Sequence, residues 1–258
     1  MLNYIRAEFY KLMCRKYTYI ALSVLLVLEG LLVAGNVFHN AHGGTTYFGE
    51  GIAVIPQFGV IGFCVCLLTG DIVFAGQYKN STLKNEVSFG LSRARIYLGK
   101  LIAQTLLSLL YLMVMMGFFI GLSAVFLPHS MSIHYNDLYS LIIVGYYLAF
   151  GLPLWIGAQA AVCMCLFLIN SDVAAPIAYM GIIFALEPVL QVAGYLIRGK
   201  TGEWLLKVCR YLPLPILNVA KAVVGDWAFL GLAWVVGAFW LTVTTAAGLY
   251  GFSRKEIK

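Results

Sequence analysis

Charge is what this sequence has least of. Of its 258 residues, 11% are Asp, Glu, Lys or Arg and 62% are hydrophobic, and its mean hydropathy is +0.89. A soluble domain averages about 25% charged and about 45–50% apolar residues. No soluble fold can bury this much apolar surface, so the bilayer must be part of the solvent. The shortage also excludes a soluble basic domain, and with it a nucleic-acid partner. The formal charge of +6 then reports where loops lie, because Lys and Arg mark cytoplasmic connections in membrane proteins.

Other absences narrow the chemistry. The six cysteines form no evident disulfide framework. Cys64/Cys66 and Cys163/Cys165 sit inside apolar runs, Cys14 lies near the basic start, and Cys209 has no obvious partner. The two C-x-C pairs lack companion ligands of metal-site spacing and read as small packing residues. All four histidines (His39, His42, His129, His134) fall in two connections without Lys or Arg, 39–51 and 128–137, and read as solvated loop residues. There is no H-E-x-x-H, no Ser/His/Asp grouping and no carboxylate pair at helical spacing. The expectation is a chain with no catalytic residue, no bound metal and no cofactor of its own. A cleaved leader is not expected either. The basic start (Arg6, Lys11, Arg15, Lys16) runs into about 20 apolar residues, enough to span.

What remains is six apolar runs, at about 17–38, 52–75, 97–127, 138–169, 174–197 and 227–250. About 20 apolar residues cross a hydrocarbon core. The third and fourth runs are longer and must tilt, kink or project, and Pro153 is a reason for a kink in the fourth. The predicted class is therefore an all-α integral membrane protein with six transmembrane helices. Orientation follows from Lys and Arg. Four lie in the N-terminal stretch, five in 76–100 and three in the tail, so twelve of 17 fall on one side. That side is assigned to the cytoplasm, with both termini there. Arg198, Lys200, Lys207, Arg210 and Lys221 disagree with the pattern. The stretch 211–225 is apolar but too short to cross and reads as a re-entrant element.

Two local patterns stand beside the spans. In 2–15, Leu2, Ile5, Phe9 and Leu12 recur at helical spacing while Asn3, Arg6 and Lys11 fall away from them. This predicts an amphipathic helix on the membrane surface, in contact with lipids. Residues 194–201, GYLIRGKT, match the G-x-x-x-x-G-K-[ST] phosphate loop. A working loop follows a buried strand and has a small-residue interior. Here the interior is Tyr195, Leu196, Ile197 and Arg198, continuous with an apolar helix. The match reads instead as a helix end stopped by Gly199.

The informative connection is FAGQYKNSTLKNEVSFGLSRARIYLGKLI (74–102). Asn80 or Ser81 can cap a short helix running to about Ser88, Gly90 can end it left-handed, and Ser92 can cap the next span. The short helix, about 80–89, would carry Leu83 and Val87 as apolar knobs on one face and Lys84 on another, a shape suited to docking in a cleft of a soluble partner. The run T-L-K-N-x-x-S-x-G-x-S-R-x-x-I-Y-x-x-K (82–100) resembles the segment after the second span in type-2 permeases of ATP-binding-cassette (ABC) exporters. NYIRAEFYKLMCRK (3–16) is similar to their N-terminal interfacial helix. The likeness covers the whole chain in topology and about 45 residues in motif. It departs mildly where Ser81-Thr82 stands for the Gly-Thr common in the family.

The resemblance implies a non-catalytic permease subunit of the plasma membrane, in all expectation bacterial. A separate cytoplasmic ATPase would bind ATP and Mg. Ser81, Thr82, Leu83, Lys84, Asn85, Glu86 and Val87 would form the coupling helix seated on that ATPase. A second permease, identical or a sister, would complete the pathway. The cargo expected for so apolar a pathway is hydrophobic or amphipathic: a peptide such as an antimicrobial peptide, an antibiotic or a lipid. Three acidic residues lie in or near spans. Asp71 is expected to bond nearby basic or helix-terminal groups. Glu29 and Glu187 could line the pathway or be packing carboxyls. Two rival functions remain open at this level: a stand-alone intramembrane enzyme, and a membrane anchor or sensor that transports nothing.

Overall fold

Within lipid, an apolar segment satisfies its backbone polar groups only as a helix or in a closed barrel. In the computed structural model the apolar runs are helices. It describes residues 1–74, 82–88, 90–130, 137–169, 171–197, 199–220 and 225–255, with Thr82 and Leu83 as backbone alone. The elements are α1 (Leu2–Met13), α2 (Lys16–Ala41), α3 (Phe48–Ile52), a 3-10 turn (Ile55–Phe58), α4 (Ile61–Phe74), α5 (Thr82–Ser88), α6 (Arg93–Phe126) and α7 (Asp137–Leu168). Then follow α8 (Ala174–Met180), a π turn (Gly181–Ala185), α9 (Leu186–Leu196), α10 (Lys200–Cys209), α11 (Pro213–Val219) and α12 (Trp227–Arg254). No strand occurs among the described residues. Five helical stretches among the described residues are long and apolar enough to cross a membrane, or six when the bent pair Phe48–Phe58 and Ile61–Phe74 is counted as one span. The chain is an all-α, multi-pass membrane protein.

α7 is the central helix. Half of its apolar stretch is buried in the bundle, against 6% for α2. Helices in lipid gain little from apolar burial against each other, so close packing of small residues matters. α12 lies along α7 in this way. A Cβ on Gly237 would stand 2.4 Å from the Pro153 carbonyl, and one on Gly157 would stand 3.0 Å from the Gly237 oxygen. α7 is one continuous helix with Pro153 inside it. Side-chain hydrogen bonds add a second link. Gln159 on α7 donates to Thr69 Oγ1 on α4 at 2.9 Å and accepts from Gln104 on α6. All three side chains are fully buried.

The second apolar run, expected to make one crossing at 52–75, is bent in the structure. It begins at Phe48 and bends by 62° between Phe58 and Ile61. Pro56 starts the intervening 3-10 turn. Gly59 and Gly62 leave room there for two large side chains: a Cβ on Gly59 would overlap the Tyr147 hydroxyl, and one on Gly62 the Trp155 indole. Trp155 Nε1 donates to the Gly59 carbonyl at 3.2 Å, which pins the bend. The fifth span carries the π turn one helical turn before Pro188. A proline there removes the donor to the Phe184 carbonyl and crowds it, and a widened turn accommodates both effects.

The stretch 211–225, expected to be re-entrant or interfacial, holds the short helix α11 and is preceded by a helical hairpin, and residues 221–224 lie outside the described ones. The chain turns back at Gly199 (φ +100°). α10 then returns along α9 until Cys209 Sγ lies 3.8 Å from the Glu187 carbonyl. Gly194 and Gly202 make this tight hairpin possible, since a Cβ on Gly202 would sit 1.9 Å from the Ile197 oxygen. α11 packs against α7 and α12 before α12 begins.

α6 has 34 residues, about 51 Å at 1.5 Å per residue, against about 30 Å of hydrocarbon. Its excess falls at the end carrying Arg93, Arg95 and Lys100. Basic side chains at this end close off helix C-termini, where carbonyls lack partners. Arg15 Nη1 donates to the Ile72 carbonyl of α4. Arg93 Nη1 donates to the carbonyls of Phe252, Ser253 and Lys255 at 2.7–2.9 Å. Lys255 Nζ donates to those of Phe167 and Leu168 at 2.6 and 3.1 Å. One basic end therefore gathers α1, α5, the start of α6 and the last turns of α4, α7 and α12.

Candidate functional site

The short helix of the 74–102 connection is α5, Thr82–Ser88, followed by Gly90 at φ +83°. Ser92 stands at the cap position of α6 in extended conformation, without a side-chain capping bond. Ser81 lies outside the described residues, and so do the side chains of Thr82 and Leu83. Lys84, Asn85 and Ser88 are exposed. Val87 is not an outward knob, because it packs against the main apolar core of the bundle. The helix lies on its i, i+1 edge, with Glu86 and Val87 turned inward and Lys84 and Asn85 outward.

Glu86 joins a buried ion cluster. Lys100 Nζ on α6, fully buried, lies 3.3 Å from Glu86 Oε1 and 3.1 Å from Glu8 Oε2 on α1. Lys11 Nζ lies 2.6 Å from Glu8 Oε1, and Tyr4 Oη donates to Glu86 Oε2 at 2.9 Å. Burial raises the Glu8 pKa and is the largest single influence. The charge of Lys100 and the hydrogen bonds and charge of Lys11 together outweigh it and leave the carboxyl below its ordinary value. The Tyr4 hydroxyl is pushed up by burial, then by the nearby carboxylates Glu8 and Glu86. Gly99 completes the corner: a Cβ there would meet the Tyr4 ring at 2.4 Å. Three elements that the sequence separates by up to 92 residues are thus locked at one cation.

The corner also shows which side of α1 meets the bundle. Its bundle-facing stripe is Tyr4, Glu8 and Leu12, at i, i+4 and i+8, while Leu2 is 81% exposed. Glu8 and Lys100 were legible only as charges. A Glu one turn before the buried Leu12 was a faint signal that the inner face is partly polar.

The embedded carboxylates go to separate places. Glu29, at the middle of α2, lines a cavity of about 190 Å³ between α2, the bent second span, α6 and α7. Glu187 is on α9, outside that cavity, and accepts from Gln191 Nε2 at 3.0 Å. The two expected pathway residues do not meet. Asp71 is half-buried within electrostatic reach of Asp172, and the expected bond to a basic or helix-terminal group is not seen among the described residues.

GYLIRGKT falls on the hairpin described above. Gly194 to Leu196 end α9, and Lys200 and Thr201 begin α10. Gly194 serves close helix approach and Gly199 the turn, with no strand before it among the described residues. No His/Cys/Asp/Glu group among the described residues is arranged to hold a metal, and all six cysteines are free.

A search of curated proteins finds no match to this chain. Comparison with protein families matches residues 4–187 to the ABC-2 family transporter proteins, a stretch running from the start of the α1 corner through the bent second span to Glu187. Most of the chain is included, and the protein belongs to the ABC-2 transporter family.

Proposed function

We propose that this permease subunit passes the work of a partner ATPase into the membrane through the α1–α5–α6 corner. Membership of the family makes it the membrane component of an ABC transporter and implies an ATP-binding partner. In this proposal two permeases, identical or sisters, and two ATPases form the complex, and the pathway runs between the permeases. Both termini and α5 lie in the cytoplasm. ATP and Mg belong to the partner. The cargo is hydrophobic or amphipathic, and it is exported across a bacterial plasma membrane.

The carrying observation is the double tie of α5. Its outer face offers Lys84 and Asn85 to a partner, while its inner face is bonded through Glu86 to Lys100 and Tyr4. A push on the outer face must therefore move α1 and the long α6 together. The energy enters as a difference in contacts between two states of the ATPase pair, as any such switch requires. Lys84, Asn85 and Glu86 keep the coupling role expected from the sequence, whereas Val87 acts by packing α5 onto the bundle.

The test is purification in mild detergent from the native host, followed by photolabelling with an azido-ATP. A stoichiometric soluble subunit that takes the label, with this chain unlabelled, supports the proposal. Label on this chain, purified alone, refutes it.

A further inference from the structure

Glu29 sits 13 residues into α2, about 20 Å along the helix from Lys16. It is 9% exposed, and its Oε2 has no hydrogen-bond partner among the described residues. The cavity beside it is almost wholly apolar, walled by Leu25, Phe58, Met116, Phe119 and Trp155. Tyr147, whose hydroxyl is buried and unpartnered among the described residues, is another lining residue of the same space. Among the described residues no Lys, Arg or His lines it. The rim opens sideways between α2 and the bent span, where Leu28, Leu32, Phe58 and Ile61 are 41–54% exposed.

A carboxyl in an apolar wall is costly unless it meets a partner. Among the described residues the bundle supplies none to Glu29 Oε2, although it pairs Glu8 and Glu86 at its basic end. What the cavity lacks is a cation with hydrogen-bond donors. An apolar space of about 150 Å³ holds a benzene-sized group, so this one takes a ring or a short chain segment plus an amine. The aromatic walls favour the same charge through cation–π attraction.

We infer that the Glu29 cavity is a binding site for an amphipathic ammonium ion. The amine sits between the Glu29 carboxylate and the Tyr147 hydroxyl, and the apolar body leaves through the rim into the bilayer. The inference rests on the permease reading and narrows its cargo to lipophilic amines.

The test uses the full chain in phosphatidylcholine nanodiscs, without ATPase or ATP. A diazirine-bearing alkylammonium is photo-crosslinked, and the adducts are mapped by mass spectrometry. Adducts are expected on peptides containing Leu25, Phe58 or Trp155. Dodecylammonium should compete at least tenfold better than dodecanol, and Glu29→Gln should abolish that preference while a neutral diazirine still labels the cavity. Glu29→Asp should restore part of it. Adding phosphatidylethanolamine separates sources: competition by it assigns the amine to a bilayer lipid, and no competition assigns it to a free amphiphile. Equal competition by amine and alcohol on the wild-type chain overturns the inference, whatever becomes of the variants. That failure would leave ATPase co-purification untouched, so the two readings fail separately.

Discussion

Replacing Lys100 by Met removes the cation shared by Glu8 and Glu86 while keeping the length of the side chain. Lys100 is 0% exposed, Glu8 4% and Glu86 15%. Removing one partner of a buried pair costs about 3–5 kcal/mol, because it strands the other charge. Lys11 stays beside Glu8, but its side chain is 48% exposed, and exposed pairs contribute about 0–1 kcal/mol. A net loss of about 3–4 kcal/mol is expected. It should appear as local release of α1 and α5, since the six-span core does not depend on them. Hydrogen–deuterium exchange in nanodiscs reads this directly: amides of both helices should exchange about 100- to 1000-fold faster, at about 1.4 kcal/mol per decade. Neutralising all three charges together (Glu8→Gln, Glu86→Gln, Lys100→Met) should recover most of the protection, because no charge is then stranded. The pH dependence has a definite sign. Glu8 is held below its ordinary value of 4.5, so its stabilisation is complete above that value and fades as pH falls through the lowered one. Protection should be equal at pH 7 and 5.5 and decline only below 4.5. Wild-type exchange in Lys100→Met, or a triple variant as loose as the single one, refutes the reasoning.

Gly202→Ala should break the α9–α10 hairpin, because its Cβ would strike the Ile197 and Gly194 carbonyl oxygens at 1.9 and 2.5 Å. A loss of about 1–3 kcal/mol is expected, read as faster exchange in 200–209, and unchanged exchange there would contradict the packing. Gln159→Leu removes the side-chain bonds to Gln104 and Thr69 and should cost about 0.6–1.7 kcal/mol per lost bond in a denaturant titration, whereas a more stable variant would show that the network is not stabilising. His129 Nδ1 lies 2.7 Å from Asp137 Oδ2, and that hydrogen bond raises the His129 pKa above 6.5. The pairing is therefore present below the ordinary value and lost as pH rises through the raised one. An NMR titration of this imidazole should find its midpoint above 6.5, and a midpoint at or below 6.5 would show that the pair does not form.

The helices were legible because lipid allows little else, although Ser92, the cap read for α6, makes no side-chain capping bond. Gly90 announced its own positive φ between Ser88 and Ser92. The orientation of side chains around short helices was not legible. Val87 and Leu83 looked like one apolar face, yet α5 has seven residues and its contacts are set by α1 and α6, which come from distant sequence. Lys100 closed the family-like motif and counted among the basic residues that orient the chain, but only the meeting of three helices shows it to be buried. The bend in the second span was written in Pro56, Gly59 and Gly62, which hydropathy averages away. Glu29 was visible as a costly residue. Its cavity was not, because it depends on that bend.

The central claim is that α5 is the point where a partner's work enters. A photo-crosslinking amino acid at Asn85, exposed on α5, tests it in the complex purified from membranes. Trp227, 76% exposed at the opposite end of the bundle, is the control. The account predicts an adduct from position 85 to an ATP-labelled subunit and none from position 227. An assembled, ATP-hydrolysing complex with no adduct from position 85, or equal adducts from both positions, would contradict it.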